Sequence, residues 1–227
     1  DGAKWARLGS LKPVPLPGGD SAVLDIWKMG LSWLLSCGEF PGTHAKLFSG
    51  ISRQELSVTG KMCATGVNSP ACSSMGRLFD AVAFFAGLGR SVSYEAQAAM
   101  ELEALYRSGA AQDGYGFEIC RQGSLLLADP TPLIKAALAD GRPARISAGF
   151  HTAVAKMTVD MLLKLSKQTG VKKAALSGGV FQNKVLLELV WAGLERVGIT
   201  PFTNKLVPAN DGGLSLGQCW AARKVLG

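Results

Sequence analysis

A short apolar run, Ala174-Ala175-Leu176, ends at Ser177-Gly178-Gly179, and a helical pattern follows from Val185 to Val197. Strand, diglycine turn and helix in that order leave few folds open. Adjacent glycines let the backbone approach a ligand closely, with helix N–H groups pointing at it. A second glycine turn, Asn210-Asp211-Gly212-Gly213, sets a carboxylate at the start of another helical stretch. There an anion can hold a metal or a phosphate-linked ion. Together the two turns predict half of a nucleotide-and-metal site. The surrounding chain alternates as strand 173–177, helix 184–197, strand 199–204 and helix 212–226. That alternation implies an α/β layer on the C-terminal side.

Upstream the pattern is mostly helical. Pro13 to Asp20 is too rich in Pro and Gly for a helix, and Asp1-Gly2 before Lys4-Trp5 reads as the turn of a broken hairpin. Helical spacing predicts Ser21–Ser36, shorter pieces between Pro41-Gly42 and Lys61, and a loop over Gly66–Ser74. Met75–Gly87 reads as a helix with Leu78, Val82 and Phe85 on one face, and Tyr94–Arg107 as another. Tyr115–Ile119 and Ser124–Leu127 read as paired strands around Arg121-Gln122-Gly123. A short helix over Pro132–Ala139 and a long one over Ile146–Gln168 complete the pass.

With 227 residues, 48% apolar and only 18% charged, the chain can bury a large core and is not a disordered sequence. The mean hydropathy of +0.20 is high for a chain without a membrane span. It fits either an apolar-rich core or apolar surface covered by something else. The apolar run Ala81–Gly89 falls well short of the ~20 residues a bilayer needs. The five cysteines form no C-x-x-C pair, which fits reduced cytoplasmic thiols, and two histidines cannot build a metal cluster alone. The charge of +7 is scattered, with no run that argues for nucleic acid.

Each candidate residue carries two readings. Gly178 and Gly179 either form a tight strand exit or admit a nucleotide, with Asn183 offering an amide near the helix start. Asp211 is either an N-cap or a metal ligand that needs partners from elsewhere. Gly76 and Asp80, four apart, share a helix face, so Asp80 can reach over Gly76 towards two ribose hydroxyls. Equally, Asp80 can pair with Arg77 on a solvated face. Glu101 and Glu103 on an Ala-rich helix ordinarily face water, and His151 reads as a core or capping histidine rather than a catalyst.

Taken in order, six pieces carry a family resemblance across nearly the whole chain. They are Leu16–Asp20, Ser73–Ala81, Ser93–Ala99, Phe150-His151, Leu176–Asn183 and Pro208–Gln218. The sequence resembles the C-terminal part of the HypF carbamoyltransferases of NiFe-hydrogenase maturation. It is similar also to tRNA threonylcarbamoyladenosine synthases and antibiotic O-carbamoyltransferases. The resemblance implies an α/β, helix-rich, RNase-H-like lobe of the ASKHA (actin/Hsp70-like) fold with inserted helices. Residues 1–72 would be an N-terminal helical segment and residues 73–227 the nucleotide-binding α/β lobe. It further implies a carbamoyl adenylate, made from ATP, bound between lobes. A divalent metal (iron or zinc) polarises its carbonyl, and a partner's nucleophile, the C-terminal cysteine of HypE, displaces AMP. On matching positions, Gly178, Gly179, Asn183, Gly76 and Asp80 would hold the nucleotide, with Glu101 beside them, and Asp211 the metal.

The chain departs from the family in lacking its His-x-x-x-His motif, its earlier metal aspartate, and the acylphosphatase, Cys-rich zinc and YrdC-like domains. Ala96 stands where members often carry glycine, which could narrow the pocket. The resemblance therefore implies the C-terminal lobe of a larger cytoplasmic protein, inactive alone, with HypE and the remaining HypF domains as partners. A non-catalytic HypE-docking module and a tRNA-modifying or O-carbamoyltransferase relative are the alternatives. Glu95-Ala96-Gln97-Ala98 replaces the glycine-proline-rich turn of the tRNA-modifying relatives.

Overall fold

The computed structural model describes residues 5–110 and 115–226. The hairpin turn read at Asp1-Gly2 lies outside the described residues. The architecture is mixed α/β and helix-rich.

At the centre are two helices with little polar surface. Helix α2 (Ile26–Ser36) follows the single turn α1 (Ser21–Leu24), and Asp25, at φ −90° and ψ 72°, breaks the one helix expected there. Helix α4 (Met75–Phe85) buries every residue from Leu78 to Phe85, rather than the single expected face. A helix that is apolar nearly all round belongs inside a core. Here α2, α5 (Gln97–Ala104), α6 (Thr131–Asp140) and α7 (Pro143–Thr169) all pack on α4. Phe79 meets Phe150 edge-on at 4.5 Å, a favoured aromatic geometry. One core thus runs from Leu11 through α2 and α4 to Ile199, across the division at residue 72.

Among the described residues, three small sheets flank these helices. β5 (Leu125–Asp129) lies between β1 (Gly9–Leu11), parallel to it, and β4 (Glu118–Gln122), antiparallel to it. β2 (Val14–Pro15) pairs antiparallel with β3 (Ala71–Cys72), inside the segment expected to be loop. β6 (Lys173–Leu176) runs parallel to β7 (Thr200–Thr203), joined through α8 (Lys184–Arg196). The final helix is α9 (Leu214–Leu226). All five cysteines are free.

Helix ends follow local chemistry. α3 (Arg53–Thr65) opens on a capping box in which Ser52 Oγ accepts the Glu55 N–H and Glu55 Oε2 accepts the Ser52 N–H. α7 begins at Pro143, three residues earlier than expected, since proline suits a first helical turn. α5 starts only at Gln97, because Ala96 sits at φ +67° and cannot continue a right-handed helix. The consequence of alanine at this position is therefore backbone strain.

Two substitutions should move thermal stability in opposite directions. Ala96→Gly should stabilise by about 1 kcal/mol by removing the left-handed penalty. Gly30→Ala should destabilise by about 1–3 kcal/mol, because its new Cβ meets the Phe84 ring across the α2–α4 contact. Equal unfolding midpoints for both variants would contradict this account.

Candidate functional site at the carboxyl edge of β6 and β7

Ligands of parallel α/β sheets lie beyond the carboxyl ends of the strands. β6 and β7 end level, with Leu176 opposite Thr203, so both glycine turns leave from one edge. The Gly178 N–H donates to the Ala209 carbonyl at 2.8 Å, and Ser177 Oγ reaches the same oxygen at 3.4 Å. The two turns are thereby fastened together. Gly178 adopts φ +98° and ψ 155°, a conformation essentially reserved for glycine. Ser177, Gly178, Gly179 and Asp211 are all exposed along this edge.

The start of α8 differs from its expected role. Glu103 Oε1 accepts the N–H groups of Lys184 at 2.8 Å and Val185 at 3.2 Å, and Asn183 Oδ1 accepts that of Leu186 at 2.8 Å. These helix donors therefore do not point at a ligand. The donors left to this edge belong to Gly179 and Val180, opening the 3-10 turn Gly179–Gln182, since the first N–H groups of a helical turn have no partner within it. Glu103, expected to face water, is a cap across 81 positions of sequence, and no local pattern could have revealed it.

Hydrogen-bond logic fixes the protonation of His151. A backbone N–H can only donate, so Asn183 presents its oxygen to Leu186 and its Nδ2 to His151 Nε2 at 2.9 Å. Nε2 must then accept, and the ring proton sits on Nδ1, 2.8 Å from the Ser147 carbonyl. Burial holds the imidazole below its ordinary pKa, opposed by the Ser147 carbonyl and the Glu103 charge. His151 is thus a satisfied core histidine. Asn183 spends its oxygen and one N–H internally and is buried.

Helix α4 brings the other candidates alongside, since it contacts both the 3-10 turn and α5. Asp80 is only 2% exposed and lies 2.9 Å from Arg77 Nη1. The pair exists, but not on a solvated face. The approach is that of an ion pair and lacks hydrogen-bond alignment, so Asp80 Oδ2 and Arg77 Nη1 remain without a hydrogen bond. Burial raises the Asp80 carboxyl to about 6, with Arg77 pulling it down and Glu95 pushing it up. Gly76 has open space where a Cβ would stand, apart from Ser74 Oγ at 3.5 Å. Glu101, half-buried on α5, accepts from Gln97 Nε2 at 2.8 Å.

Asp211 stands alone. Asn210, not Asp211, caps the short turn Asp211–Gly213, through Oδ1 to the Gly212 N–H at 3.1 Å. Among the described residues no three His, Cys, Asp or Glu side chains gather to hold a metal. One carboxylate in water does not fix a divalent ion against its hydration shell. A cavity of about 610 Å³ lies at the opposite end of α4, between Phe84–Gly87 and His44–Leu47, away from the glycine edge. Among the described residues no helix is long and apolar enough to cross a membrane.

The Asp80 carboxyl should titrate with a midpoint near pH 6 in carbon-13 NMR. Arg77→Met should move that midpoint upward, because the neighbouring cation favours the ionised form. A midpoint in the ordinary carboxylate range, unchanged by the substitution, would contradict the buried pair.

Residues 1–218 match the family described as carbamoyltransferase, Kae1-like domain, second subdomain. The chain is 37% identical to the carbamoyltransferase HypF of Rhizobium leguminosarum bv. viciae, covering 100% of this chain and 29% of that protein. It is also 37% identical to the HypF of Rhodobacter capsulatus, covering 96% of this chain and 28% of that one. A crystal structure of full-length HypF in a phosphate- and nucleotide-bound form superposes with a TM-score of 0.90 at 34% identity, over 100% of this chain and 30% of the other. The chain thus spans less than a third of the length of these relatives. The resemblance carried by the six ordered motifs is met, and the chain belongs to the HypF carbamoyltransferase family.

Proposed function

We propose that this chain forms the adenosine-facing wall of a carbamoyltransferase site, as one RNase-H-like lobe of an ASKHA fold completed by a second lobe outside the chain. The observation that carries the reading is the Gly178 N–H to Ala209 carbonyl bond, which fastens both glycine turns to one strand edge. A family relative crystallised with phosphate and nucleotide supports it. In this reading Gly179 and Val180 offer N–H groups to the nucleotide. Asp80, ionised above pH 6, accepts from ribose hydroxyls near Gly76, and Asn183 holds the turn from behind. Glu101 borders the same wall.

The substrate is carbamoyl adenylate derived from ATP, and the acceptor is the C-terminal cysteine of HypE, within NiFe-hydrogenase maturation in the cytoplasm. The thiolate attacks the carbamoyl carbon, the bond to the adenylate oxygen breaks, and AMP leaves with the electron pair. Asp211 is proposed as one ligand of a divalent ion, iron or zinc, whose other ligands come from outside the chain. The residues present do not hold such an ion by themselves.

A second reading rests on α9. Leu214, Leu216 and Trp220 are each more than half exposed, and Leu206 is fully so. Here lies apolar surface of the kind the mean hydropathy suggested, and it suits a face that docks HypE without chemistry.

The two readings separate experimentally. In the longer protein that contains this chain, Asp211→Ala should abolish carbamoyl transfer to HypE while sparing carbamoyl phosphate hydrolysis. Unchanged transfer would remove Asp211 from the site. Capture of HypE by the isolated chain, together with no heat of nucleotide binding, would favour docking.

A further inference from the structure

Behind the glycine edge runs a closed ring of hydrogen bonds through three helices. Ser147 Oγ on α7 donates to the Leu102 carbonyl of α5 at 2.6 Å. One turn on, His151 Nδ1 donates to the Ser147 carbonyl, and its Nε2 accepts from Asn183. Asn183 caps α8 through Leu186, and Glu103, the neighbour of Leu102, caps the same helix through Lys184 and Val185. The ring therefore returns to the residue beside its start. Ser147 and His151 have no exposed surface and Asn183 has 8%, so bulk water cannot substitute for a broken bond. Phe79, Phe150 and Tyr106 pack edge-on around the imidazole, each with its ring centroid 5.6 Å away.

This ring meets the proposed site at one place. Asn183 is the residue on which the 3-10 turn ends, its own N–H donating to the Val180 carbonyl at 3.2 Å. The direction in which Gly179 and Val180 aim their N–H groups therefore depends on where Asn183 is held. Asn183 is held by His151 in front and by the capped first turn of α8 behind.

We propose that Glu103 and His151 are positioning residues for the nucleotide wall, holding the Gly179–Val180 donors through Asn183 without touching the ligand. This rests on the nucleotide reading of the glycine edge. It also explains why a carboxylate occupies a helix N-terminus beside a site for a phosphorylated ligand. Glu103 satisfies the α8 donors so that α8 stays fixed whether or not nucleotide is bound, leaving recognition to the turn.

The test combines calorimetry with ATP and two spectroscopic readouts on the longer protein that contains this chain. Glu103→Ala should weaken ATP binding about tenfold, the equivalent of one lost charged hydrogen bond. It should also speed amide exchange at Lys184 and Val185. Glu103→Gln, which keeps an acceptor oxygen, should recover most of both. Asn183→Asp, nearly isosteric, sets a carboxylate oxygen against Nε2, so the nitrogen-15 shifts of His151 should change from the Nδ1–H tautomer to the imidazolium. Wild-type ATP affinity in Glu103→Ala, or wild-type exchange at Lys184 and Val185, overturns the proposal. Absence of ATP binding by the unsubstituted longer protein, with the exchange and tautomer changes as expected, sinks the nucleotide reading and reduces the ring to a cap on α8.

Discussion

The burial of α4 on all sides is the constraint from which the rest of the structure follows. Its eight consecutive buried residues require partners around the whole circumference, and α2, α5, α6 and α7 supply them. Full burial of one such aliphatic or aromatic side chain contributes roughly 1.5–3 kcal/mol, so α4 and its neighbours form the most costly part of the fold to disturb. The one charged residue among those eight, Asp80, is carried in by its neighbours. Only Arg77, one turn earlier, offsets its desolvation. A carboxylate held in that way, raised to about 6, is the kind of perturbed group that clusters at functional sites.

The sequence made the C-terminal α/β layer plain, because β6, α8 and β7 each carry their own period and are separated by glycine or polar turns. Residues whose partners lie far off in the chain were not legible. β1 and β3 are three and two residues long, too short to show alternation, and exist only because β5 and β2 pair with them. The late start of α5 is equally illegible, because Tyr94-Glu95-Ala96 are acceptable helix formers, whereas the fold sets Ala96 in the left-handed region.

The same distinction applies to the site. Gly178, Gly179 and Asp211 stand out as candidates by local turn chemistry, and Asp80 by its spacing from Gly76. Glu103 does not, since a carboxylate on a helix rich in alanine is ordinarily solvated. Its role arises only when α5 is laid against the start of α8. His151 was placed correctly for a general reason: a lone histidine on an apolar helix face is most simply satisfied by its own helix, here through the Ser147 carbonyl. The expectation that the N–H groups of α8 would greet the ligand failed because a helix N-terminus in a packed interior attracts whichever anion is nearest, and that anion is a side chain.

This outcome bears on what the wall can bind. Asp80, Glu103 and Asp211 all lie along or behind it, while Arg77 is already committed to Asp80. Lys184 extends into solvent, 82% exposed, with Glu188 as its distant partner. A surface with that balance accepts the hydroxyls of a ribose and the neutral face of a base far better than a chain of phosphates. The amides of Gly179 and Val180 favour an anion here, but two backbone dipoles alone do not neutralise a phosphate. In the proposed reading, further positive charge for the phosphate comes from outside this wall. Under that proposal, a wall of this character selects the nucleoside and leaves the reacting end to whatever faces it.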